Sequence, residues 1–250
     1  MNNTGKEFLE KTKYKYLLPS DQMKGVQQPP LELEYDKTKN IIDLPRPNEI
    51  TFKTLELRKA IDSRRSVRTY SNKPINLEEL SYLLWCVHGV KEVVQNHATL
   101  RTVPSAGARH AFEIYVLVNN VENLENGLYR FLAVKHKLVE VIKDDNLADN
   151  ISDACLDQSF IKSSAVTIFW AAVSYRMKWR YGERGYRYLF LDAGHSCQNL
   201  YLSASSIGCG VCGIAAFSDD ELNSVLELDG EEQFVIYLAT VGKNKKNHFK

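Results

Sequence analysis

The chain has 250 residues, 44% hydrophobic and 25% charged, an ordinary globular composition that supplies a sizeable core. Its 32 basic and 31 acidic residues leave a net charge of +1, so no broad electrostatic footprint favours a nucleic acid or a membrane surface as partner. The N-terminus has no signal-peptide core, and the longest apolar run, Ala165 to Ala172, falls far short of the roughly 20 residues that span a bilayer. A cytoplasmic protein is expected. Its five scattered cysteines, Cys86, Cys155, Cys197, Cys209 and Cys212, are expected to be mostly thiols.

A short helix is expected from about Gly5 to Tyr14. Five of the seven prolines (Pro19, Pro29, Pro30, Pro45 and Pro47) fall in the first 50 residues. They block helix and central strand, so residues 1–50 read as an extended arm that either wraps a partner subunit or lies loose. Residues 51–250 form the main domain. Leu55, Leu57, Ala60 and Ile61 suggest a short amphipathic helix ending near Arg64. Asn76, with Glu79 three residues on, caps the next helix, whose buried face is Leu80, Leu83, Leu84, Val87 and Val90. Glu113–Val118 reads as a buried strand, and Gly127–Phe131 with Leu138–Ile142 as a hairpin-like pair. Residues 146–162 look helical and Val166–Val173 is a core strand. The longest periodic segment is 185–207, where Leu189, Ala193, Cys197, Leu200, Ala204 and Ile207 recur at three- and four-residue steps. It predicts a central buried helix near a subunit interface, ended by Gly208. Ser218 to Glu221 is a capping box, and Phe234–Val241 is the last strand. The architecture is α+β, with a mostly antiparallel or mixed central sheet, helices around it and one long central helix.

Five segments are chemically suggestive. Ser63 to Arg68 carries three arginines and Ser66 within reach of one another. Guanidinium groups match phosphate oxygens bidentately, so the cluster is either a phosphate site or a solvated basic turn. Thr102 to Arg109 is a small-residue loop that lets backbone approach a flat ligand, or an ordinary loop. Trp179 to Tyr188 interleaves aromatics and arginines and runs into Asp192 and His195, a pair more often structural than catalytic. Further clustered ligands for a metal are lacking. Cys209 and Cys212 form a lone C-x-x-C, read as small buried residues in a glycine-rich turn rather than a redox dithiol. The basic tail Val241 to Asn247 gains interest only if it folds back towards Arg64–Arg68.

In this order the segments resemble the nitroreductase superfamily, and within it the stand-alone SagB-type dehydrogenases, which include the oxidases that convert azolines to azoles in modified peptides. The matching stretches are Arg64–Arg68, Pro104–Arg109, Tyr181–Arg184, Asp192–His195 with Gln198–Tyr201, and Gly213–Phe217 with Gly242-Lys243. They cover about residues 50–246. Lys11–Tyr14 and Asp43–Pro47 of the arm are similar too.

The resemblance implies a nitroreductase-like fold with FMN at a homodimer interface. It implies that Arg64, Arg65, Ser66 and Arg68 hold the FMN phosphate and that Lys243 and Lys245 return to it. The loop Pro104, Ser105, Ala106, Gly107 and Ala108 would follow the ribityl chain and ring. Ile214, Ala215 and Ala216 would give backbone contacts to the isoalloxazine. Ala215-Ala216 stands where the family often has Gly-Gly, and Arg180-Tyr181 where azoline oxidases have a Lys-Tyr pair. Arginine is a poor general base, so Tyr181 is the acid/base candidate and Arg180 a candidate for binding a substrate anion. The implied function is FMN-dependent two-electron oxidoreduction of a small molecule or peptide, with NADH or NADPH as candidate donor. The alternatives are an azoline-to-azole dehydrogenase and a flavin-binding protein without turnover.

Overall fold

The computed structural model describes residues 3–52, 55–95 and 97–245. In chain order the elements are α1 (Thr4–Lys11), β1 (Ile41–Asp43), α2 (Leu57–Ser63), α3 (Leu77–His88), β2 (Val90–Val94) and β3 (Ala98–Arg101). Then come β4 (Phe112–Val118), β5 (Gly127–Leu132), β6 (Lys137–Ile142), α4 (Leu147–Ala154), α5 (Phe160–Ser163) and β7 (Val166–Val173). The chain continues with α6 (Ser174–Tyr181), α7 (Gly185–Ser206), β8 (Cys209–Ile214), α8 (Asp219–Val225) and β9 (Gln233–Lys243).

Seven strands form one antiparallel sheet in the order β1-β6-β5-β4-β7-β9-β8, while β2 and β3 pair separately. The continuous apolar runs of β4 and β7 are buried along their whole length because both sheet faces are covered. On one face Ile114, Val116, Ile168 and Trp170 pack into the core shared with α3 and α7. On the other, Tyr115, Leu117 and Phe169 meet residues of α4, α5 and α8. The Asn76–Glu79 capping box forms as expected, and Leu80, Leu83, Leu84 and Val87 are fully buried. Trp170 Nε1 donates to Ser196 Oγ at 2.7 Å, and Ser196 donates to Val87 O at 2.7 Å, so the polar edge of this buried ring is satisfied.

Several expectations change. Cys209–Ile214 is strand β8, not a glycine-rich turn. Its glycines serve close approach: a Cβ on Gly210 would lie 2.5 Å from Asn244 Oδ1, and one on Gly213 would lie 2.3 Å from Tyr237 Oη. Cys209 and Cys212, three residues apart on a strand, point to opposite faces and cannot pair there; both are free. The helical stretch over 146–162 is interrupted by positive φ at Leu156 and Asp157. Ser218 opens α8 without a side-chain cap hydrogen bond. Val90 lies in β2, not on the face of α3. Helix α6, strand β1 and the β2–β3 ribbon have no counterpart in the sequence reading.

The proline-rich N-terminal segment lies against its own chain, and β1 joins the sheet edge beside β6. Side chains grip its backbone where proline leaves carbonyls free. Arg176 Nε donates to Pro30 O at 2.8 Å, Arg130 to Leu33 O and Glu34 O at 3.0 and 2.9 Å, and Trp179 Nε1 to Val26 O at 2.9 Å. Glu113 accepts from Leu33 N–H and forms a buried ion pair with Arg176 at 2.5 Å, both side chains 3% exposed. Removing one member strands the other charge, so Arg176→Met should cost about 3–5 kcal/mol in urea unfolding. Adding Glu113→Gln to that variant should recover part of the loss; a single substitution without measurable cost would contradict this account.

Candidate flavin and substrate site

Arg64 leaves α2 in extended conformation, and the following residues lie along the outer edge of β8. Ser66 bridges Val211 in parallel fashion, Val67 N–H donates to Val211 O at 2.8 Å, and Ser71 N–H donates to Lys243 O at 2.9 Å. Tyr70 anchors the segment: it is 4% exposed, and its hydroxyl bonds Val67 O at 2.6 Å and Thr240 Oγ1 at 2.7 Å. The intervening side chains therefore turn outward. Arg65, Ser66, Arg68, Tyr201, Ser205 and Asn244 line a cavity of about 260 Å³. Arg64 lies over the Tyr201 ring, 5.4 Å from its centroid. Among the described residues, no carboxylate lies within ion-pair distance of Arg64, Arg65 or Arg68, although Arg58 pairs with Asp62. Asn244 Oδ1 is buried beside this cavity with no hydrogen-bond partner among the described residues.

The tail does fold back to this edge, since Tyr70 bridges Asn244. Lys243 itself turns the other way. Its ammonium bonds Glu79 of α3 and Ile207 O. Lys245 is exposed, and Lys246 and Asn247 lie outside the described residues.

From the arginine cluster β8 runs on to Ile214. Gly213 sits where Tyr201 and Tyr237 converge: a Cβ there would lie 3.5 Å from Tyr201 Oη as well as against Tyr237. Beyond it, Ala215 lines an apolar cavity of about 510 Å³ with Phe190, Ala193, Gly194, Phe217 and Tyr237. From Gly210 to Ala215 is five residues, roughly 16 Å of strand. Ala215 and Ala216 are exposed, and Ala216 O accepts from Gln158 Nε2 at 2.8 Å.

The Pro104–Ala108 loop is tied to α7 and α6. Ala106 N–H donates to Asp192 Oδ1 at 3.3 Å and His110 N–H to Ser105 Oγ at 2.9 Å. Asp192 thus serves this loop, and His195 is exposed. Burial raises the Asp192 carboxyl above its ordinary range, against the hydrogen bonds from Ser105 and Ala106 N–H that favour its charged form. Ala193, the next residue of α7, faces the apolar cavity, so loop and cavity flank one helical turn. Arg180 and Tyr181, at the end of α6, close on Gly107. A Cβ at Gly107, whose φ is +57°, would meet Tyr181 Oη at 2.5 Å and Arg180 Nε at 2.8 Å. Tyr181 stacks edge-on against Tyr188 with centroids 4.7 Å apart. The structure therefore brings Arg180, Tyr181 and the loop together at one place, and Arg64, Arg65, Ser66 and Arg68 with β8 at another.

The Nitroreductase family model matches residues 61–243. The chain belongs to the nitroreductase family. It is an oxidoreductase with the family's fold, an α+β arrangement of antiparallel sheet and long helix. It is 35% identical over 202 residues to MJ1384 of Methanocaldococcus jannaschii, a protein assigned to the nitroreductases, covering 81% of this chain and 96% of that one. It is 26% identical over 182 residues to the trifolitoxin-processing protein TfxB of Rhizobium leguminosarum bv. trifolii, covering 70% of this chain and 49%, about half, of that protein. Among solved structures, one assigned as a nitroreductase from Anabaena variabilis superposes with a TM-score of 0.69 at 26% identity, covering 84% of this chain and 42% of that one. No described helix is long and apolar enough to cross a membrane.

Sequence reasoning did not single out Tyr201, Tyr237 or Glu79 for a role at this site. Tyr201 falls within the matched stretch Gln198–Tyr201, which is the signal that points to it. Tyr237 is buried in the pattern of a strand and carries none.

Behind the loop, His88 and His110 meet edge-to-face at 5.9 Å beside the buried Arg101. Burial, then the Arg101 charge, holds His88 well below the ordinary range and His110 down at about 3. Both rings are neutral in the folded chain while the unfolded chain protonates them near pH 6.5. Stability is then fully present above pH 6.5 and falls as pH drops towards 3, by up to about 1.4 kcal/mol per pH unit for each histidine. Thermal unfolding between pH 7 and 5 should show that slope, and His110→Gln should flatten it; an unchanged slope would contradict the assignment.

Proposed function

We propose that the chain is an FMN-dependent two-electron oxidoreductase of the SagB-type dehydrogenase branch, acting as a cytoplasmic homodimer with the flavin in a cleft between two subunits. The observation that carries this reading is the cluster of Arg64, Arg65 and Arg68, without carboxylate partners among the described residues, at a cavity beside the start of β8, with an apolar cavity just past the strand's end. Three guanidinium groups and a serine hydroxyl suit a dianionic phosphate. At Gly213 the lack of a side chain lets Tyr237 and Tyr201 close over β8. Arg64, Arg65, Ser66 and Arg68 would hold the phosphate, and Lys245 would add charge from the tail. Lys243 would join them only on releasing Glu79. The backbone of Ile214, Ala215 and Ala216 would line the isoalloxazine, and Pro104, Ser105, Ala106, Gly107 and Ala108 the ribityl chain and ring. When bound, FMN supplies the hydride chemistry that no side chain offers.

On the substrate side Tyr181 exchanges a proton with the substrate, and Arg180 holds an anionic group on it. Tyr181 is suited to this by its position at Gly107 and its support by Tyr188. NADH or NADPH is the electron donor when the substrate is reduced. In the opposite direction the substrate is a small molecule or peptide that is dehydrogenated. An azoline-to-azole dehydrogenase is the second reading, favoured by the likeness to TfxB. Arg180 weighs against it, because a guanidinium does not serve as a base beside the tyrosine.

The purified protein should be yellow or become so with FMN, and NADH or NADPH should bleach it anaerobically. Yellow protein that neither donor reduces would favour the dehydrogenase direction; failure to take up FMN would overturn the flavin reading. Arg65→Ala and Arg68→Ala should each weaken FMN binding about tenfold or more, one charge-assisted contact being about 1.5–3 kcal/mol. Tyr181→Phe should lower turnover by about 100-fold or more at unchanged FMN content, the range for general acid–base catalysis. Unchanged turnover would remove that role.

A further inference from the structure

The Tyr201 hydroxyl lies between Ser66 of the arginine cluster and Gly213 of β8. Gly213 N–H donates to Tyr201 Oη at 2.8 Å. On its other side Tyr201 Oη lies 3.1 Å from Ser66 Oγ. The Arg64 guanidinium covers the ring of the same tyrosine. A phenol has one proton to give. Gly213 N–H takes one lone pair of the phenol oxygen and leaves its proton available to Ser66. In that orientation Ser66 Oγ accepts from Tyr201 and has its own proton free, and Ser66 lines the arginine-rich cavity. The reverse orientation would have Ser66 donate to Tyr201 and turn only lone pairs towards an anion held by Arg64, Arg65 and Arg68.

We infer that Gly213, Tyr201 and Ser66 form a one-way hydrogen-bond chain, with Tyr201 the positioning residue that aims the Ser66 O–H at the flavin phosphate. This rests on the flavin reading above and adds to it the means by which the phosphate end is coupled to the ring end. Donor chains running towards an anion strengthen one another. A phosphate at Ser66 therefore tightens the bond from Gly213 N–H, one residue before Ile214, Ala215 and Ala216. The chain recognises the phosphate rather than the ring, so it separates FMN from riboflavin.

The test measures FMN and riboflavin affinity for the whole protein and for Tyr201→Phe, Ser66→Ala and the double variant. Tyr201→Phe keeps the ring beneath Arg64 and removes only the hydroxyl. It should weaken FMN about tenfold, in the range of one hydrogen bond to a charged group, and riboflavin by less than about threefold. The double variant should bind FMN within about twofold of the weaker single variant, because the two hydroxyls act in series. Equal losses for FMN and riboflavin, no loss for FMN, or losses that multiply in the double variant would each overturn the inference while leaving the flavin reading intact. Should Tyr201→Phe not fold, an equal loss of the two flavins in Ser66→Ala would overturn it. A wild-type protein that binds neither flavin would overturn the flavin reading, and this inference with it.

Discussion

The candidate site depends on how the outer edge of β8 is covered. An edge strand exposes a row of unpaired backbone groups. Here β9 pairs one side, and the segment at Ser66 and Val67 takes part of the other through Val67 N–H to Val211 O, while Ser71 N–H bonds Lys243 O of β9. Those bonds hold the segment with Tyr70 buried and Val67 half-buried, and with Arg65, Ser66 and Arg68 exposed. The same strand ends at Ile214, where the apolar cavity begins. One strand thus sets the distance between a cationic end and an apolar end.

Helix α7 supplies the other wall. Tyr201 reaches the cationic end, Ala193 and Gly194 the apolar cavity, and Asp192 the Pro104–Ala108 loop. Eight residues from Ala193 to Tyr201 are roughly 12 Å of helix, which runs alongside the strand from Gly210 to Ala215. The helix is pinned by a buried chain from Trp170 through Ser196 to Val87. Its Phe190, 59% accessible, lines the apolar cavity at the surface.

Charge is handled in opposite ways at two places in the fold. Under the proline-rich segment, Glu113 and Arg176 pair in the interior, and each also bonds the backbone there, Arg176 to Pro30 O and Glu113 to Leu33 N–H. This fixes α6 and with it Arg180 and Tyr181. At the β8 edge the arginines are left without acidic partners among the described residues. An interior ion pair resists change once formed, whereas exposed unpaired cations are free to take a ligand.

Much of the framework was legible in the sequence. The apolar runs of β4 and β7, the three- and four-residue spacing of α3 and α7, and the cap at Asn76 are local patterns that burial simply reads out. The arginine cluster, the small-residue loop and the Arg180-Tyr181 pair were visible as residue types. Helix α6 was not, because its buried face contains Ser174 and Arg176, whose partners Glu232 and Glu113 are distant in sequence. Strand β8 was hidden by glycines that resemble a turn but are there for Tyr237 and Asn244. The direction of Lys243 towards Glu79, the service of Asp192 to the loop, and the junction of Ser66, Tyr201 and Gly213 each join residues far apart along the chain. The sequence by itself determined the hydrophobic periods and the kinds of polar group available. Only the tertiary structure decided which polar groups meet, because a hydrogen bond depends on distance and direction across packed elements, and neither is encoded in local spacing.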